Sequence, residues 1–180
     1  MSGAGEYSAV EQLRDGRPIE IRALRPDDRT EMLAAIGRTS PQSLQRRFFA
    51  PKRDFSEKEI AYFLKIDFES HAALVALLDE DGRPVIAGGG RYIQLSPGSA
   101  EIAFVVVDAY QCQGLGTILL RHIANLGREA GLTELIAEVL PENTAMLKVF
   151  KKAGFKSSSG RDPQIVHLTL QLAETGAAPP

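Results

Sequence analysis

From Ile19 to Leu24 apolar and charged residues alternate (Ile-Glu-Ile-Arg-Ala-Leu), the period of a half-buried strand. Arg25-Pro26-Asp27-Asp28 then opens a helix expected to reach about Gly37, with Met32, Leu33 and Ile36 on its inner face. Ser56 followed three residues later by Glu59 is a capping-box spacing, and Ile60, Phe63 and Leu64 supply the apolar stripe of a second helix. The run from Ala72 to Leu78 reads as a strand, Asp79 to Arg83 as a hairpin turn, and Pro84 to Leu95 as the returning strand. Gly88-Gly89-Gly90 inside that strand predicts a bulge or a close approach by substrate. After a turn at Ser96 to Ser99, Glu101 to Val107 continues the sheet; Leu115, Leu119, His122, Ile123 and Leu126 then recur at helical spacing until Gly131. Glu134 to Leu140 is another strand. Asn143 leads into a helix with Met146, Val149, Phe150 and Ala153 inside, Gly154 ends it, and Ile165 to Leu172 is the last strand. The order β-α-α-β-β-β-α-β-α-β predicts an α/β fold: a mixed, mostly antiparallel central sheet flanked by helices, since hairpins make antiparallel pairs and crossover helices parallel ones. Residues 1–16 and 174–180 lack periodicity and read as flexible tails around one domain over residues 17–173.

The length of 180 residues, with 44% hydrophobic and 24% charged, suits a single core. A net charge of -2 provides no general attraction to polyanions, so nucleic acid is not an expected partner. Cys112 is the only cysteine and the three histidines are scattered, which predicts no disulfide and no metal site and fits a reducing cytoplasm. No stretch approaches the roughly 20 apolar residues that span a bilayer, so no membrane partner is expected. The sequence leaves open whether the chain forms a homodimer.

The chemistry concentrates where the strand beginning at Glu101 runs into Gln111-Cys112-Gln113-Gly114-Leu115-Gly116-Thr117 and a helix. Glycines at this spacing let backbone N–H groups converge at a helix N-terminus, a phosphate cradle. No Gly-Lys-Ser/Thr follows, as a Walker loop requires, and the third glycine of a dinucleotide fingerprint is replaced by Leu119. A phosphate site beside a carboxylate suggests group transfer from a phosphate-bearing carrier. Glu101 reads either as a general base or as a strand-end carboxylate in solvent. Val105, Val106 and Val107 suit a buried strand, Asn143 an N-cap, and Cys112 a tolerated loop position rather than a nucleophile. Lys148, Lys151 and Lys152 read as a solvated helix face, with contact to a phosphate of the carrier as the alternative, and His71, His122 and His167 have no acidic motif beside them, His122 being a packed core residue.

The element order, the Gln111-x-x-Gly114-x-Gly116 loop, and Asn143, Phe150 and Ala153-Gly154-Phe155 around the last helix resemble the GNAT superfamily of acyl-CoA-dependent N-acyltransferases. Ser40-Pro41-Gln42-Ser43, Arg47-Phe48-Phe49, Ile66-Asp67 and Ala100-Glu101-Ile102-Ala103 are similar to the catalytic domain of bacterial Pat-type protein lysine acetyltransferases. Many members of that group carry a fused regulatory region. Here about eighteen residues precede the first expected strand, so such regulation is expected to be absent or supplied by a partner.

The resemblance implies acetyl-CoA as donor, no metal, and Glu101 as general base. It implies a splayed strand whose backbone at Val105, Val106 and Val107 bonds the pantetheine arm, with Gln111 to Thr117 on the pyrophosphate. It further implies Asn143 as a cofactor-amide ligand and Phe150 where many relatives carry a proton-donating Tyr. Many relatives also carry an Arg near Cys112 or Gln113, and none stands there in this chain. The expected reaction is acetyl transfer to a protein lysine ε-amine by direct attack. The alternatives are transfer to a small-molecule amine and a non-catalytic acyl-CoA sensor.

Overall fold

The computed structural model describes residues 4–48, 55–158, 162 and 164–172. Among them, eight strands form one sheet: β1 (Ser8–Gln12), β2 (Pro18–Ala23), β3 (His71–Glu80), β4 (Arg83–Ser96), β5 (Ser99–Val106), β6 (Glu134–Val139), β7 (Lys156–Ser158) and β8 (Val166–Gln171). Their order across the sheet is β1-β2-β3-β4-β5-β6-β8-β7, and each neighbouring pair is antiparallel except β5 with β6. That exception follows from the connection, because α4 (Leu115–Glu129) carries the chain back between β5 and β6. Four more helices flank the sheet: α1 (Arg29–Gly37), α2 (Pro41–Phe48), α3 (Glu57–Leu64) and α5 (Thr144–Lys152).

β3 lies between β2 and β4 and is buried from His71 through Leu78, the mark of a strand covered on both faces. On one face α4 inserts Leu115, Leu119 and Ile123, each at most 1% exposed. Met32 and Ala35 of α1 and Ile60 of α3 are buried as well. The Ser56 cap expected for α3 is present, its hydroxyl accepting from the Glu59 N–H at 3.1 Å.

The glycine run answers to packing within the protein. Ala87 has no partner between the pairs Ala76 with Gly88 and Leu77 with Ile86, so β4 bulges there. A Cβ on Gly88 would stand 2.8 Å from the Val105 carbonyl oxygen, and one on Gly90 would stand 2.5 Å from Cδ1 of Phe104. These glycines let β4, β5 and α4 close on one another.

Three features depart from the sequence expectation. Residues 8–12 of the expected tail form β1, paired with β2 from Ser8 with Arg22 to Gln12 with Pro18, and Leu13 beyond it is buried. Pro41–Phe48 is a helix, with the Ser40 hydroxyl accepting from the Ser43 N–H at 3.1 Å. The short β7 pairs with β8. The expected tail over residues 174–180 lies outside the described residues, as does Phe49.

Candidate active site

β5 pairs with β6 only from Ser99 with Glu134 to Ile102 with Ala137, although both strands run further. The two edges therefore diverge from Ala103 onward, the splay that the resemblance implied. A cleft of about 530 Å³ opens at the divergence, between the end of β5, the loop before α4, and α5. The Val106 carbonyl in this region accepts from Gln111 Nε2 at 3.1 Å.

Glu101 lines the cleft and is half-buried. Burial raises its carboxyl pKa above the usual carboxylate range, Glu138 of β6 raises it further, and the Arg47 guanidinium of α2 pulls the other way. A carboxylate so placed is better matched to taking a proton near neutrality than a solvated one. Glu138 also lines the cleft and lies 3.5 Å from Nδ1 of His167.

The loop before α4 contains two residues in left-handed backbone, Cys112 at φ 65° and Gly114 at φ 84°. Such alternation turns successive N–H groups toward one concavity. Gly114 is the N-cap of α4 and supplies no side chain to the first-turn amides, which leaves them to a ligand. Arg14, from the chain between β1 and β2, lies against this loop. Its N–H donates to the Gln113 carbonyl at 3.1 Å, its Nη1 to the Cys112 carbonyl at 3.5 Å, and its side chain lines the cleft. The cation missing from the local sequence is thus delivered from the N-terminal hairpin. These features fit the pyrophosphate of a CoA-type donor.

Of the other residues singled out in the sequence, Val105, Val106, Gln111, Cys112, Gly114, Leu115, Gly116, Thr117, Asn143 and Phe150 line the cleft. Two do not. Val107 is 2% exposed, and its N–H is used by the Ala87 carbonyl at the bulge, so it serves the core. Gln113 is absent from the cleft wall; it meets Arg14 through its backbone, and its Oε1 is buried without a partner among the described residues. Asn143 is the N-cap of α5, its side chain accepting from the Met146 N–H at 3.4 Å, and it faces the cleft as well. Phe150 is 2% exposed and packs on Phe155 at 4.9 Å and Phe104 at 5.9 Å between ring centres. Tyr110 lines the cleft, but its hydroxyl donates to Glu80 at 2.9 Å.

Lys148 and Lys152 are exposed at the cleft wall, whereas Lys151 is not part of it. Arg46 lines it too, with its Nε buried and unpartnered among the described residues. The motif Ser40 to Ser43 holds α2 to this wall. Asp108 accepts from the Ser40 N–H at 2.8 Å and the Ser43 hydroxyl at 3.3 Å, and the Ser43 hydroxyl accepts from Gln111 Nε2 at 3.1 Å. The histidines are not unpaired. His122 is buried against the Tyr7 hydroxyl, and its Nε2 lies 2.8 Å from Glu11, which also pairs with Arg121. Arg46 and Arg47 stand near the groove as their sequence position suggested, whereas Arg14 and Glu138 gave no signal in the sequence, because only the hairpin and the strand register bring them to the cleft.

Among the described residues, no group of three or more His, Cys, Asp or Glu is placed to hold a metal ion, and no helix is long and apolar enough to cross a membrane. The model of the acetyltransferase (GNAT) family matches residues 41–155. The chain is 33% identical over 163 residues to an acetyltransferase of Pseudomonas aeruginosa, covering 88% of this chain and 87% of that one. It is 29% identical over 145 residues to the acetyltransferase Pat of Mycolicibacterium smegmatis, covering 79% of this chain but 43% of that longer protein. The crystal structure of the GNAT domain of S. lividans PAT superposes with a TM-score of 0.85 at 33% identity, covering 92% of this chain and 97% of that one.

Proposed function

The chain belongs to the GNAT family of acetyltransferases, and we propose that it transfers acetyl from acetyl-CoA to protein lysine ε-amines with Glu101 as general base. The observation that carries this reading is Glu101 itself: a half-buried carboxylate with a raised pKa, at the edge of a cleft that opens where β5 and β6 part. Likeness to Pat-type enzymes supports the lysine acceptor.

When bound, acetyl-CoA supplies an activated acyl thioester. The amides from Cys112 to Thr117 hold its pyrophosphate with Arg14 beside them, while the Gln111 N–H is taken by the Asp108 carbonyl, and the free edge of β5 at Val105 and Val106 meets the pantetheine arm. Asn143 and Phe150 line that arm, while Lys148 and Lys152 flank its charged end. A lysine ammonium, with a reference pKa of about 10.4, must lose a proton before its nitrogen attacks. Glu101 takes that proton, directly or through one water. The N–C bond forms as the C–S bond breaks, and the departing thiolate is protonated from water, since Phe150 has no hydroxyl. The N–H groups along the splayed strand polarise the carbonyl being attacked.

The test incubates the protein with acetyl-CoA and a panel of proteins and small amines, following thiol release and lysine acetylation by mass spectrometry. Site-selective lysine acetylation that is lost in Glu101→Gln is the expected result. Thiol release with small amines alone would overturn the lysine acceptor.

A further inference from the structure

A second, smaller chamber of about 100 Å³ lies on the other side of Ala103 and Val105, beneath α1, α2 and α3. It adjoins the main cleft, because Arg47, Ala103 and Val105 belong to the walls of both. Strand alternation puts Glu101, Ala103 and Val105 on one face of β5, and Arg91, the β4 partner of Ala103, joins that face. The rest of the wall is mostly apolar, with Met32, Ile36, Phe63 and Val75 among its residues.

Two guanidinium groups in such a chamber call for an anion. Arg91 is held in place: its Nη1 donates to the Phe63 carbonyl at 3.2 Å and to His71 Nε2 at 2.9 Å, and its guanidinium carbon lies 4.9 Å from the Phe63 ring centre. His71 can accept because burial, then Arg91, pulls its pKa down to about 4 against the pull of Asp67, leaving the ring neutral. The Arg47 guanidinium carbon lies 4.6 Å from the Phe48 ring centre, and Arg47 has no hydrogen-bond partner among the described residues. Both side chains are partly buried, and burial lowers each guanidinium pKa to about 10. Arg91 senses Arg47 as a like charge. Among the described residues the acid that Arg47 senses is Glu101, whose own ionisation is held back by burial and by Glu138. The cluster is therefore cationic in surroundings that favour a compensating carboxylate, the group a guanidinium fork fits best.

We propose that Arg47 and Arg91 form a carboxylate subsite at the inner end of the acyl site, so that the enzyme takes acyl-CoA donors with a terminal carboxylate, of the succinyl class. The proposal rests on the acyl-CoA reading of the main cleft. The chamber has the volume of about three water molecules, more than an acetyl methyl needs and suited to a short stem entering past Ala103. Glu101 is not part of its wall, so an acceptor amine within reach of that base stays in the main cleft, and the group filling the chamber hangs from the acyl carbon. Transfer exchanges the same bonds as for acetyl: the amide forms, the thioester C–S bond breaks, Glu101 takes the amine proton, and the thiol is released.

The test measures calorimetric affinities of the full chain for succinyl-CoA and for butyryl-CoA, which has the same stem with a methyl in place of the carboxylate. Succinyl-CoA is expected to bind at least tenfold more tightly, and the ratio to fall to one or below in Arg91→Met and in Arg47→Gln. Taking the ratio within each protein cancels general losses of packing, and the Arg47 variant on α2 serves if the β4 variant does not fold. Equal affinity in the unaltered protein, or a ratio unchanged in the variants, overturns the proposal. So does a preference governed by these arginines for carboxylate-bearing acceptors with acetyl-CoA as donor. Acetyl-CoA turnover with a ratio near one overturns the subsite alone, whereas failure to bind any CoA thioester overturns both readings.

Discussion

Replacing Glu101 with glutamine removes the proposed base while keeping the side chain's shape, and the fold predicts opposite effects on activity and stability. A positioned general base contributes about 10²- to 10⁴-fold to rate, or about 2.7 to 5.4 kcal/mol of barrier. Burial and Glu138 move the Glu101 pKa toward the working pH, which argues for the upper part of that range. The same burial makes the ionised carboxylate unfavourable to the fold. Below the unfolded value near 4.5 the group is protonated in both states and costs nothing. As pH rises toward the higher folded value, the unfolded chain ionises first and the native state loses stability. Glu101→Gln never ionises, so at pH 7 the variant is the more stable protein, and by about pH 4 the difference disappears. The assay is kcat/KM by thiol release, together with urea midpoints at both pH values for both proteins. Activity retained within about tenfold would refute the base, and a variant less stable than the parent at pH 7 would refute the electrostatic account.

Glu138→Gln removes the second cause of the raised Glu101 pKa, so the acidic limb of the kcat/KM profile moves to lower pH, while Arg47→Gln moves it to higher pH. A pH–rate series on the three proteins checks both signs. Arg14→Ala weakens acetyl-CoA binding by about tenfold, the low end for a charge-assisted hydrogen bond because this arginine is exposed. Calorimetric affinities at low and high salt test it, since the loss should shrink as salt rises. Gly90→Ala drives a Cβ to 2.5 Å from the Phe104 ring and 3.5 Å from Ile123, an overpacking cost of about 1 to 3 kcal/mol that outweighs the entropy an alanine saves in the unfolded chain. A lowered urea midpoint with unchanged slope is the expected readout.

The parts of this protein that local pattern encodes could be read directly from the sequence. The buried strands β3 and β5, the helix α4 and the loop glycines each carry their signal within a dozen residues, and so did Glu101, the one acid on an apolar strand. The rest depends on partners distant in the chain. β1 has the composition Ser-Ala-Val-Glu-Gln, and its one large apolar side chain, Val10, is 75% exposed, so no burial periodicity marks it. It stays in the sheet through pairing with β2 and through Tyr7 and Glu11 on His122, contacts spanning more than a hundred residues. α2 was hidden because Pro41 opens a polar segment in which, among the apolar residues, only Leu44 is fully buried. The divergence of β5 and β6 after Ile102 is a matter of register, which no single strand records. Arg14 shows what this costs a functional reading. The sequence beside Cys112 carries no cation, but Coulomb attraction depends on distance in space, and the turn after β1 brings Arg14 to that loop across 98 residues. An N-terminal segment that looks dispensable in sequence therefore carries part of the proposed phosphate site, and deleting residues 1–16 would remove a strand, a buried histidine's partners and that cation together.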